Sequence, residues 1–326
     1  MGGAVAGRRR RGGAAGPVRA AAVTVPDQAW LGPLARRRRR TVAVRDRTPL
    51  SGGYGSGGAD RIDLDDGTTV VLKRTAAVEA AALRAVAVVN GPVRLPRLLA
   101  SGDGWVLLEH VDGTPLPDDA PVPDEVWRTL ALVHAHWRRN RPRGIPVVDD
   151  AWWAARCRHA TERLRAAGHD GADLVARWAD DERARTALRA LPRTLCHGDA
   201  HRGNVLVGPS GAMLLDWGDA RAAAGSLDTV VLTAPPADGP ADAPAAPVPA
   251  VYRDTLHAAL GAPDPPAMVA AENAWARAQA HVQYLSFAAD HQPADRATSM
   301  IAVGPVQRTV VPARHAGPQR PAGWAL

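Results

Sequence analysis

The sequence predicts a two-lobed α+β chain, a small lobe of antiparallel sheet with one main helix followed by a larger, mostly helical lobe. Three observations carry this. Between Ser51 and Glu109 the pattern reads strand, strand, helix, strand; prolines at 115, 117, 121 and 123 then follow in quick succession; and beyond them apolar residues recur mainly at helical spacing.

In the small lobe, the alternating Arg61-Ile62-Asp63-Leu64 and the run Thr69-Val70-Val71-Leu72-Lys73 flank Asp65-Asp66-Gly67, a hairpin with an Asp-Gly turn. A glycine-rich stretch, Ser51 to Gly58, opens the first of these strands, and the second ends in a lysine. Val78 to Val88 follows with Glu79, Leu83 and Val86 at helical spacing, and Trp105 to Leu108 is a short apolar strand running into Glu109-His110-Val111. In the large lobe, Asp124 to Trp137 presents Val126, Leu130, Val133 and Trp137 on one helical face behind an acidic first turn. Trp152 to Ala167 and Leu174 to Leu191 read as two more helices, the segments around Leu195, Val205 to Val207 and Met213 to Leu215 as strands, and Ala267 to Ala289 as a long helix. Pro235 to Pro249 reads as a mobile loop. The expected organisation is a disordered Arg-rich arm over 1–47, a small lobe over 48–112, a large lobe over 113–303 and a tail over 304–326.

Composition narrows the function classes. The 326 residues include two cysteines, too few for a disulfide scaffold, and no apolar run approaches the roughly 20 residues that span a bilayer, so a cytoplasmic chain without a membrane partner is expected. The net charge of +7 is concentrated at the start: 12 Arg against two Asp in residues 1–50 leave the remainder at −3. Nucleic acid is therefore expected only as a weak partner of the arm. Lys73 is the only lysine among 40 basic residues. Where coding drift has pushed basic positions to arginine, a surviving ammonium on a flexible stem points to a position that a planar guanidinium does not fill.

The chemistry is concentrated in Cys196-His197-Gly198-Asp199-Ala200-His201-Arg202-Gly203-Asn204 and, after a short hairpin, Leu215-Asp216-Trp217-Gly218-Asp219. A tight loop with Asp199 and Asn204 five apart, leading through a hairpin to Asp216, can bring two carboxylates and an amide oxygen to one spot, a set of hard oxygens suited to Mg²⁺. Protein kinases perform phosphoryl transfer with the same parts in the same order: glycine-rich cover, strand lysine, catalytic Asp, Asn five residues on, and a metal Asp after a hairpin.

On those residues the chain resembles the aminoglycoside phosphotransferase and choline kinase superfamily, whose motif His-Gly-Asp-x-x-x-x-Asn matches residues 197–204 and whose metal motif, Ile or Leu followed by Asp-Trp-x-Asp-Ala, matches Leu215 to Ala220. The resemblance spans about residues 48–290 and implies a protein-kinase-like fold and transfer of the γ-phosphate of ATP, or GTP, to a hydroxyl of a small molecule. It implies Asp199 as catalytic base and Asn204 and Asp216 as Mg²⁺ ligands. Lys73 would lie on the nucleotide phosphates, paired with Glu79. Gly52, Gly53 and Gly55 would cover those phosphates, the backbone from Glu109 to Val111 would take the adenine, and His197 and Asp228 would support the catalytic loop.

Protein kinases fit less well, because His-Gly-Asp stands for His-Arg-Asp, Asp-Trp-Gly for Asp-Phe-Gly, and no Ala-Pro-Glu follows. The acceptor is therefore expected to be a small molecule. Between Ala222 and Glu272 the net charge is −5, from Asp228, Asp238, Asp242, Asp254, Asp264 and Glu272 against Arg253. In the family such acidic walls hold polycationic antibiotics, so a cationic, aminoglycoside-like acceptor and a role in antibiotic resistance are expected. Choline, a sugar, a macrolide or a biosynthetic intermediate are alternative acceptors, and a catalytically silent kinase-like binding protein is the alternative to an enzyme. His134 reads as a core histidine, Cys157 and Cys196 as buried small groups, and Trp217 as packing.

Overall fold

The computed structural model describes residues 25–50, 58–235, 245–291 and 300. The small lobe is built on an antiparallel sheet in the order β1-β2-β3-β5-β4, from β1 (Val44–Leu50), β2 (Ala59–Leu64), β3 (Thr69–Arg74), β4 (Leu98–Gly102) and β5 (Trp105–Glu109). Period-two alternation sends Val70 and Leu72 of β3 to one face and Val71 and Lys73 to the other. Lys73 is paired across the ladder with Val106 of β5. The face carrying Val71 and Val106 packs against Ala80, Leu83 and Val86 of α2 (Ala77–Ala87).

The opposite face corrects one expectation. The stretch 1–47 was read as a disordered arm, yet Asp27–Arg38 forms a helix, α1, and β1 begins at Val44. Trp30 and Leu34, four apart and fully buried, lie on one side of α1 and close over Ile62, Leu64, Val70, Leu72 and Leu107. The arginines are tied down as well: Arg38 and Arg40 both meet Asp66 in the β2–β3 turn. Two apolar residues at helical spacing outweigh the charge density of this stretch because they cover a sheet face that water would otherwise reach. Residues 1–24, the glycine-rich stretch 51–57 and the tail after 303 lie outside the described residues, as does most of the loop expected from Pro235 to Pro249.

The large lobe contains α3 (Asp124–His136), α4 (Asp150–Ala166), α5 (Ala172–Trp178), α6 (Glu182–Ala190), α7 (Ser226–Leu232), α8 (Ala250–Leu260) and α9 (Pro266–His291). The single helix expected over 174–191 is two, because Asp181 turns the chain and its carboxylate accepts from the Arg183 amide to start α6. Asp149 caps α4 by accepting from the Trp152 amide. The core of this lobe gathers Trp153, Trp178 and Trp275 among helices α4, α5, α6, α7 and α9, with the rings of Trp153 and Trp275 5.0 Å apart. Two small sheets sit at the lobe junction. β7 (Thr194–Cys196) pairs with β10 (Arg221–Ala223), and β6 (Thr114–Pro115), β8 (Val205–Gly208) and β9 (Gly211–Leu214) form a three-stranded unit. No helix among the described residues is long and apolar enough to cross a membrane.

Candidate active site

β7 and β10 hold both ends of the site. The loop leaving β7 carries His197, Gly198 and Asp199, a 3-10 turn over Arg202–Asn204 leads into the β8–β9 hairpin, and the chain returns through Asp216 and a second 3-10 turn over Trp217–Asp219 to β10. The return is tight. At Gly198 φ is +84°, and a Cβ there would stand 2.1 Å from the Asp219 carbonyl oxygen. Glycine is required for both reasons, which explains why this loop reads His-Gly-Asp.

Asp228, fully buried at the start of α7, holds that loop from beneath. Its Oδ2 accepts from the His197 amide at 2.7 Å and its Oδ1 from the Gly198 amide at 2.9 Å. His134 Nε2 donates to the same Oδ2 at 3.1 Å, and the Tyr252 hydroxyl meets His134 Nδ1 at 2.9 Å. Burial alone would raise the Asp228 carboxyl, but these donors, His134 first, hold it below its ordinary value. His197 spans the motif: its Nε2 donates to the Leu215 carbonyl at 2.7 Å, its Nδ1 accepts from the Asp199 amide at 3.3 Å, and its ring packs on buried Trp217.

Asp199, Asn204 and Asp216 are connected in series. Asn204 Nδ2 donates to the Asp199 carbonyl at 3.0 Å, and the Asn204 carbonyl accepts from the Leu215 amide at 2.8 Å. Asp216 follows in a left-handed conformation with φ 61°. Its Oδ1 meets Lys73 Nζ at 2.5 Å, and the same ammonium lies 2.9 Å from Glu79 Oε2. Burial would lower Lys73, but the two carboxylates, Glu79 first, raise it. The reciprocal pull holds Asp216 below its ordinary value against its own burial. A lysine of the small lobe and a carboxylate 143 positions later are thus one ion pair, and Glu79 on α2 completes it.

Residues 61–281 match the phosphotransferase enzyme family, APH. The chain belongs to that family. Among solved structures, a provisional fructosamine-3-kinase from Thermobifida fusca is 18% identical with a TM-score of 0.52, covering 83% of this chain and 98% of its own. A choline kinase from Cryptosporidium parvum Iowa II has a TM-score of 0.55 at 10% identity, covering 80% of this chain and 88% of its own. A choline/ethanolamine kinase family protein from Mesorhizobium loti has a TM-score of 0.50 at 16% identity, covering 81% and 88%. At these identities the likeness is one of fold, and the fold is the two-lobed kinase-like one. No curated protein matches.

Within this family member, Lys73, Glu79, Asp199, Asn204, Asp216, His197 and Asp228 come together. Gly52, Gly53 and Gly55 lie outside the described residues. Glu109 ends β5 with its side chain on Arg97. It and Val111 border a cavity of about 530 Å³ that Leu95 and Met213 also line. Motif reading missed the contribution of α9: the Tyr284 hydroxyl donates to Asp199 Oδ1 at 2.5 Å, and Gln283 Nε2 donates to the Gly198 carbonyl at 2.7 Å. Tyr284 is one of only three tyrosines in the chain, but its spacing carries no signal, since helix α9 reaches the loop only after folding. Nor was a role assigned to His201, whose Nε2 lies 3.7 Å from Asp199 Oδ2.

Proposed function

We propose that this protein transfers the γ-phosphoryl group of ATP, or of GTP, to a hydroxyl of a small molecule, with Asp199 as catalytic base. The observation that supports it best is the joining of Lys73 to both Glu79 and Asp216 while hydrogen bonds tie the neighbours of Asp216 to the loop bearing Asp199. In the reaction the acceptor oxygen forms a bond to the γ-phosphorus as the bond to the bridging oxygen breaks. The hydroxyl proton passes to the Asp199 carboxylate, and the electron pair leaves on the nucleoside diphosphate. Lys73 places a positive charge against the phosphates, and Glu79 fixes where that charge stands.

The donor set fits Mg²⁺. Asn204 uses its amide nitrogen on the Asp199 carbonyl, which keeps its amide oxygen as the acceptor, and the Asp216 carboxylate is half-exposed. Asn204 and Asp216 are the residues that would hold the ion, which when bound supplies charge neutralisation of the phosphates.

The basis for a cationic acceptor is narrower in the fold than along the sequence. The acidic stretch from Ala222 to Glu272 pointed to a cationic, aminoglycoside-like acceptor, but half of those acids have internal partners. Asp228 braces the catalytic loop, while Asp264 and Glu272 meet Arg138 at 2.6 and 2.7 Å. Asp238 and Asp242 lie outside the described residues, so Asp254 on α8 is what remains of that wall among the described ones. An aminoglycoside therefore stands as one arm of an acceptor panel.

The test is nucleotide consumption against hydroxylated compounds of cationic, neutral and anionic kinds, with mass spectrometry of the products. Wild type should yield one singly phosphorylated product, and Asp199→Ala should lose turnover by at least about 10³-fold while still binding Mg·ATP. Wild-type turnover in Asp199→Ala would end this reading.

A further inference from the structure

Two guanidiniums, one of them fixed to the catalytic loop, gather on one indole. Arg221, buried at the start of β10, places Nη2 2.7 Å from Asp219 Oδ1, Nε 2.8 Å from the Asp219 carbonyl and Nη1 3.1 Å from Gln283 Oε1. Gln283 is the residue bonded to the Gly198 carbonyl, so this guanidinium is fixed to the catalytic loop one residue from Asp199. Its Cζ lies 5.4 Å from the centroid of the Trp152 ring.

A second guanidinium shares that ring. Arg156, one turn further along α4, has its Cζ 5.6 Å from the same centroid. Arg163 and Arg165, on the same helix, each meet a carboxylate, Asp290 and Asp173. Arg156 is part-buried and, among the described residues, has no such ion pair. Its contacts are the indole face, which stabilises a cation by about 1 kcal/mol, and the field of a like charge. Burial, then the repulsion of Arg221, lower its pKa, with Asp219 acting in the opposite sense. Asp219 already meets Arg221, so of the two guanidiniums on this indole it is Arg156 that has no carboxylate within ion-pair distance among the described residues. The planar fork of arginine is shaped for a carboxylate or a phosphate, and the pair would repel an ammonium.

We propose that Arg156 and Trp152 form the subsite for an oxyanion of the acceptor, so that the molecule phosphorylated is a hydroxyl compound that also carries a carboxylate or a phosphate. This rests on the phosphotransfer reading above and names the class of its acceptor. In this arrangement Trp152 positions the Arg156 guanidinium, which would hold the charged end of the acceptor.

Two measurements on the full chain test this. First, inorganic phosphate is titrated calorimetrically into protein saturated with Mg·AMP-PNP, which occupies the nucleotide side. Wild type should bind, Arg156→Gln should bind about 10- to 100-fold more weakly, and Arg156→Lys should fall between them, while Arg158→Gln, an exposed neighbour on α4, should match wild type. Second, initial rates are compared for glycerate, glycerol 3-phosphate, glycerol and an aminoglycoside. Turnover confined to the anionic pair, with KM for the acceptor raised in Arg156→Gln and Mg·AMP-PNP affinity kept, supports the subsite, and the better of the two tells carboxylate from phosphate. Equal phosphate affinity in wild type and Arg156→Gln, or preference for the aminoglycoside, overturns it. Should Mg·AMP-PNP not bind and no compound be phosphorylated, the phosphotransfer reading fails, whereas phosphate titration without nucleotide still decides the subsite.

Discussion

The hydroxyl of Tyr284 on α9 donates to Oδ1 of Asp199 at 2.5 Å, so a helix from the far end of the described chain holds the proposed base by one of its two oxygens. Burial, and then the adjacent Asp199 charge, push the tyrosine pKa well above its ordinary value, so the phenol remains a donor across the working pH range. The second oxygen lies on the His201 side, 3.7 Å from its Nε2. Tyr284→Phe keeps the ring and deletes the donor. Turnover should fall about 10- to 100-fold, the worth of one hydrogen bond to a charged group, with Mg·ATP affinity unchanged. Steady-state kinetics separates these quantities, and a variant with wild-type kcat would show that the contact orients nothing.

Lys73→Arg tests the lone lysine. The ammonium is a compact charge 2.5 Å from Asp216 and 2.9 Å from Glu79, and a longer planar fork does not fit between them without displacing one. A loss of about 100-fold in kcat/KM for ATP is expected, equivalent to roughly 2.7 kcal/mol of transition-state stabilisation. Activity within about twofold of wild type would make the residue a relic of drift.

Gly198→Ala should be disabling. The added methyl would meet the Asp219 carbonyl at 2.1 Å, and φ of +84° is itself unfavourable for alanine by about 1–2 kcal/mol. Both the strand return to β10 and the position of Asp199 depend on that approach. Urea unfolding and turnover should be impaired together. A stable, active variant would show that the two turns can separate freely.

Asp228→Asn reads the loop through pH. The folded-state carboxyl lies below its ordinary value of 3.8, so the stability it contributes is complete above about pH 5 and is lost as pH falls through the ordinary value towards the folded one. At pH 7 the variant should lose about 3–5 kcal/mol, because an amide donor then faces backbone N–H groups in a fully buried site. As pH falls towards 3 the wild-type and variant stabilities should converge. Parallel curves over that range, measured by chemical unfolding, would place the charge elsewhere.

Trp30→Ala tests whether α1 belongs to the fold. The indole is fully buried against the outer face of the small-lobe sheet, so truncation should cost about 3–5 kcal/mol and lower Tm by roughly 5–10 °C. If residues 25–50 were an independent arm, Tm would not move.

Local patterns made most of the site legible. The spacing from His197 to Asn204, the hairpin to Asp216 and the strand ending at Lys73 are short-range features, each specified by a turn, an alternation or a local register along the chain. They were sufficient to indicate the two lobes and the parts for phosphoryl transfer. The order of the small sheet, with β1 and β4 on its edges, was not legible. Strand Val44–Leu50 carries arginine and aspartate on its exposed positions, and its pairing with β2 is a long-range choice.

What the sequence determined by itself was therefore a set of chemical groups with fixed local spacing, Lys73 with Glu79 on one lobe and Asp199, Asn204 and Asp216 on the other. Tertiary structure alone decided what stands around them: Tyr284 on Asp199, Arg138 between Asp264 and Glu272, and Arg221 with Arg156 on one indole. The reason is physical. What a charge counted along the chain can do depends on the partners folding gives it, and partners separated by more than 60 residues are chosen by packing, which no local spacing records.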